Sequence, residues 1–102
     1  MYFKISVDNS TTPDIIDENM TNMFSKRKYT SLHIDASKCT SLRFKTIMKF
    51  MPVFDKHRES SRKYLQQTTI TVPNKFISKV IKFTLPFIRP EQPVYVNTLS
   101  KL

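Results

Sequence analysis

The sequence predicts an α/β fold: a four-stranded, mostly parallel sheet in a βαβαβαβ superhelix, with helices mainly on one face. Three observations carry this expectation. Short alternating segments and longer segments with helical spacing follow one another along the chain. Ten or more residues of helical pattern separate successive strands, which suits right-handed crossovers between parallel neighbours. The strands alternate apolar and polar residues, whereas strands covered on both sides read as near-continuous apolar runs. One face of the sheet is therefore expected to be open.

Tyr2-Phe3-Lys4-Ile5-Ser6-Val7 alternates, with Phe3, Ile5 and Val7 on one side, and reads as the first strand. A turn at Asp8–Thr11 leads to Thr12 as N-cap and Pro13 at the first helical position. The first helix places Ile15, Ile16, Met20, Met23 and Phe24 along one broad stripe. Asp14, Asp17 and Glu18 lie in its early turns and Lys26-Arg27-Lys28 at its end, as the macrodipole favours.

Tyr29 to Asp35 reads as the second strand, with Leu32 and Ile34 inward. A polar loop, Ser37 to Ser41, precedes a helix carrying Phe44, Ile47, Met48, Met51 and Phe54, which Pro52 should kink or divide. The charged stretch from Asp55 to Lys63 is expected to be its exposed end, with His57 solvated. Thr68 to Val72 is the third strand. Pro73-Asn74 opens a helix to about Leu85, with Phe76, Ile77, Val80, Ile81 and Phe83 buried and Pro86 and Pro90 ending it. Pro93 to Val96 is a short fourth strand, followed by a tail from Asn97 to Leu102. No repeat or domain boundary appears, so residues 1–102 are expected to form a single domain.

The composition excludes several functions. Glycine is absent from all 102 residues, where average usage would supply roughly seven. Phosphate-cradling loops, dinucleotide fingerprints and G-x-S-x-G elbows are thereby ruled out. Helix ends are expected to depend on proline more than on left-handed caps. One cysteine, Cys39, excludes an internal disulfide and suggests a reducing, cytoplasmic setting. No signal peptide or membrane-spanning run is apparent.

The net charge of +9 is localised. Residues 1–40 hold five cations and five acids; residues 41–102 hold twelve cations and three acids, so they carry the whole excess. Lys75, Lys79 and Lys82 fall at i, i+4 and i+7, and Lys45 and Lys49 at i and i+4, with Arg89 nearby. These stripes are candidate anion or partner sites, or else ordinary solvated helix faces. The open face of the sheet would present Tyr2, His33, Thr69, Thr71 and Tyr95.

Local text also resembles known families. Ser31-Leu32-His33-Ile34-Asp35 resembles the strand ending in Asp that STAS and CRAL-TRIO domains carry before a long helix. Thr71-Val72-Pro73-Asn74-Lys75-Phe76, ten residues before Pro86-Phe87-Ile88-Arg89-Pro90, is similar to the CRAL-TRIO pattern of strand, proline, aromatic helix and Pro-Phe-Leu/Ile. Val94 to Leu99 is similar to the segment that follows. The resemblance spans residues 30–99 and implies a minimal SpoIIaa-like domain that binds or regulates. The N-terminal and gating helices that wall the CRAL-TRIO lipid cavity find no counterpart in these residues, so a lipid-filled interior is not expected. It also lacks the Asp-Ser-Ser-Gly phosphorylation motif of STAS domains, and offers Ser37, Thr40 and Ser41 there as phosphoacceptors or simple N-caps.

Catalysis is not expected. Cys39 and His33 have no orienting third group, and two His and one Cys fit no zinc spacing. No cofactor or metal is expected. The leading expectation is a non-enzymatic module that docks an acidic protein or an anionic membrane through its lysine stripes or open sheet face, the latter also able to pair two copies. The alternative is sequence-neutral nucleic-acid binding through residues 41–102, with Tyr2, His33 and Tyr95 as stacking groups. A lipid-transfer remnant using Phe87 and Ile88 is a third, weaker reading.

Overall fold

The structure, a computed structural model, describes residues 1–99. Four strands, β1 (Tyr2–Ser6), β2 (Thr30–Asp35), β3 (Leu65–Val72) and β4 (Val94–Thr98), form one sheet in the order β1-β2-β3-β4. Every neighbouring pair is parallel. Between them run α1 (Pro13–Ser25), then α2 (Phe44–Met48), α3 (Met51–Lys56) and α4 (Arg58–Tyr64), then α5 (Lys75–Ile88). The predicted fold class is the one observed.

Sequential order has a consequence for the helices. Crossovers of one hand, each moving one strand along, deposit every helix on the same face. Phe3, Leu32, Thr68 and Val94 form one cross-strand row on that face, and Ile5, Ile34, Ile70 and Val96 the next. Side chains of α1 and α3 pack over β1 and β2, α4 packs against α3 and β3, and side chains of α2 and α5 pack over β3 and β4.

Local chemistry sets the helix ends. The Thr12 hydroxyl accepts the Ile15 N–H at 3.3 Å, and the Asn74 amide oxygen accepts that of Ile77 at 2.9 Å. Each satisfies a donor that the helix itself leaves free. Contrary to the expectation of proline-set ends, α1 and α5 stop at left-handed residues, Arg27 (φ 50°) and Arg89 (φ 54°). A helix reversing over its last carbonyls needs positive φ there, and without glycine the chain uses arginine.

Pro52 divides the middle helix as predicted. It sits in the first turn of α3, where a missing N–H costs nothing. A second, unpredicted break at His57 separates α3 from α4. β3 begins at Leu65, three residues before the predicted start, where the β2–β3 register shifts between Thr30 and Ser31. β4 continues to Thr98; the remainder of the expected tail, 100–102, lies outside the described residues.

α5 differs most from expectation. It runs through Pro86 to Ile88, because the bond lost at Pro86 falls on the helix's exposed side. Its inward residues are Ile77, Ser78, Ile81 and Thr84. Phe76 and Phe83, expected inside, are 70% and 63% exposed. The helix carries two apolar stripes, and the one interspersed with small hydroxyl residues faces the sheet. Thr84 is accommodated because its hydroxyl donates to the Val80 carbonyl at 2.7 Å.

Candidate docking surfaces

The protein presents two unlike surfaces. On the helix-free side of the sheet, Lys4, His33, Thr69 and Tyr95 form one cross-strand row, with Ser6, Asp35, Thr71 and Asn97 beside it. This is the open face anticipated from strand alternation. His33 links the rows: Nδ1 lies 2.8 Å from the Tyr2 hydroxyl and Nε2 2.8 Å from the Thr71 hydroxyl. Lys4 pairs with Asp35 at 3.5 Å. The Ser37 hydroxyl and N–H both donate to Asp35, and with Lys4 they hold its carboxyl below the usual range. Lys4, His33, Asp35 and Thr71 are thus engaged internally, while the rings of Tyr2 and Tyr95 stay more than half exposed.

The second surface is built by α5 and α2. Phe76, Val80, Phe83 and Phe87 recur at i, i+4, i+7 and i+11, one line along α5. Three of these are phenylalanines more than half exposed, in a line about 16 Å long. Phe44 of α2 closes the group, its ring edge-on to Phe83 at 5.7 Å and to Phe87 at 5.2 Å between centroids. Lys75, Lys79 and Lys82 lie beside the line on α5, and Lys45 and Lys49 lie on or just after α2, all exposed. Neither helix contains an acidic residue. Arg89, also exposed, stands at the C-terminal end of α5.

Arg58 fixes that end of α5. Its guanidinium donates to the Ile88 carbonyl at 2.6 Å and the Arg89 carbonyl at 2.7 Å, and pairs with Asp55 at 2.8 Å and Glu91 at 3.5 Å. It supplies donors to carbonyls that the helix cannot satisfy itself. Sequence reasoning missed this role, because the contact spans 30 residues and no local spacing announces it.

Other candidates are relocated. Ser37, Thr40 and Ser41 are not at a helix start, since α2 begins at Phe44 with Arg43 as its uncapped N-cap. Ser37 turns on Asp35, and the Thr40 hydroxyl accepts from the Asn9 amide at 2.6 Å. None of the three is therefore an N-cap, and no helix dipole would favour a phosphate on them. His57 is not solvated: it is 7% exposed, packs on Phe24 and donates to Asp17 at 2.7 Å.

His33 and Cys39 end up on opposite sides of the sheet. His33 is on the open face, whereas Cys39 is buried with Val72 and Ile77 beneath α5. Burial pushes the Cys39 thiol up, reinforced by the Asp8 and Asp35 carboxylates, so it is a poor nucleophile. Among the described residues, no three His, Cys, Asp or Glu side chains gather as a metal site, and no helix is long and apolar enough to cross a membrane.

No family model matches the chain, and neither the curated proteins nor the solved structures include a significant match.

Proposed function

We propose that this protein is a non-enzymatic module that docks on an anionic membrane surface through α5 and α2. One observation carries the reading: an exposed phenylalanine line flanked by lysines, on helices without a single acid. That combination suits the headgroup boundary, where rings enter the acyl edge and ammonium groups meet phosphate. A leaflet of anionic lipid attracts each nearby lysine by on the order of 1 kcal/mol. Five such residues with three partly inserted rings provide reversible binding without a membrane span.

The anionic cytoplasmic leaflet is the natural target, and a lone reduced cysteine suits that compartment. The one-sided helical winding supports a relationship to SpoIIaa-like domains as part of the same reading. Nucleic-acid binding is the weaker reading, because Tyr2 and Tyr95 lie on the sheet face opposite the lysine helices. The expected stacking groups on the sheet could not then engage the same stretch of strand whose phosphates meet the lysines.

Co-sedimentation with vesicles tests the proposal. Phosphatidylserine-containing vesicles should pellet the protein, phosphatidylcholine alone should not, and high salt should release it. Lys79→Glu with Lys82→Glu should weaken binding at least tenfold. Equal pelleting with both vesicles, or no pelleting alongside salt-sensitive oligonucleotide retention, would overturn it. An acidic protein partner is the remaining reading if neither vesicles nor oligonucleotides bind.

A further inference from the structure

The helical side of the sheet is packed as two clusters. One gathers Ile5, Met20, Met23 and Leu32 beneath α1 and α3; the other gathers Val72, Ile77 and Ile81 beneath α5. Between them lies a largely apolar, partly open cavity of about 120 Å³. Ile34 and Ile70, register partners on the two central strands, form part of its lining and remain only half-buried. In a closely packed sheet domain these should be among the most covered side chains. Leu85 and Ile88 of α5 line the cavity from above, and Arg58, Glu91 and Gln92 border it.

Left unfilled, an apolar pocket of this size deprives its lining of dispersion contacts, and water on its apolar floor gains few hydrogen-bond partners. A domain this small has little stability in reserve for such a void. We infer that the cavity binds a small, uncharged, apolar molecule, about the size of one aromatic ring. The size follows from volume: an apolar cavity of around 150 Å³ holds benzene. The absence of charge follows from the border. Every nitrogen of Arg58 already has a partner among Asp55, Glu91 and the carbonyls of Ile88 and Arg89. Glu91 is shared between Arg58 and Arg62. Among the described residues, no free cation remains there to receive a carboxylate.

Methyl NMR of the full chain, titrated with benzene and separately with benzoate, tests this site. Benzene should saturably shift the methyl signals of Ile34, Ile70 and Leu85 and leave Val80, on the outer side of α5, unmoved. At tenfold excess over Kd, benzene should raise Tm by roughly 5–10 °C. Benzoate should bind at least tenfold more weakly. Ile70→Phe, which fills the space, should abolish the benzene shifts; if that variant does not fold, Val94→Leu should weaken them. Shifts that fail to saturate, that centre on Val80, or that persist in the folded filling variant would overturn the site. Equal affinity for benzoate would overturn its selection for uncharged ligands.

Discussion

The Asp17 carboxylate on α1 accepts from His57 Nε2 at 2.7 Å and from Lys56 Nζ at 2.9 Å, tying two distant helical segments across 40 and 39 residues. The chain interrupts its middle helix at His57, and that break delivers the imidazole to Phe24 and Asp17. A break within a charged stretch thus becomes the joint between α1 and the second crossover.

The joint predicts acid sensitivity. The bonds from Lys56 and His57 hold the Asp17 carboxyl below its usual range. A carboxyl depressed by folding stabilises fully above its unfolded value near pH 4 and loses that contribution as pH falls through its folded value. Urea midpoints for wild type and Asp17→Asn should therefore differ clearly at pH 7 and converge near pH 2. A gap unchanged with pH would show that the carboxylate's charge is not what the joint uses.

Arg58 predicts a localised loss. Arg58→Met keeps an apolar stem but removes the donors to Ile88 and Arg89, and should destabilise the domain by about 1–2 kcal/mol. Hydrogen exchange should quicken in the last turn of α5 before it quickens in β2 or β3. Uniform quickening would argue against a capping role.

The two left-handed arginines predict a gain. Arg27→Gly and Arg89→Gly should each stabilise by about 0.5–1 kcal/mol, since relief of positive φ outweighs the added freedom of the unfolded chain. Alanine at either position should give no such gain. Chemical denaturation of the four variants checks this directly.

Adjacent residues on α5 should behave oppositely. Ile77 is buried, so Ile77→Ala should cost about 2–5 kcal/mol. Phe76 is mostly exposed, so Phe76→Ser should stay within about 0.5 kcal/mol while reducing vesicle binding. A comparable stability loss at both positions would mean that the phenylalanine line is a second core rather than a surface.

Cys39 should be unreactive in the native state. Burial and two nearby carboxylates raise its pKa, so a disulfide-exchange reagent should label it only as slowly as the protein opens. In denaturant one thiol per chain should react at once. Rapid native labelling would contradict the burial of this loop.

Strand existence, sheet order and the open face were legible because they rest on two-residue alternation and one-handed crossovers. The α5 orientation was not. Both 76-80-83-87 and 77-81-84-88 satisfy helical spacing, and hydrophobicity favours the line with three phenylalanines. What decides is close approach to the sheet, which Ser78 and Thr84 permit and a phenylalanine line would block. The lysine stripes were readable from spacing, yet their meaning changed once the rings between them proved exposed. Arg58, His57 and Asp17 could not be paired beforehand, because contacts over 30 to 40 residues leave no periodic trace.

Sequential winding also leaves the sheet with two unlike edges, β1 at one end and β4 at the other. Joining the β4 edge of one chain to the β1 edge of the next would continue the same parallel winding. Such contacts are heterologous and do not close on themselves, so they propagate a filament rather than a dimer. The +9 charge opposes that growth by mutual repulsion between copies. Neutralising its lysines should therefore promote end-to-end association as well as weaken docking.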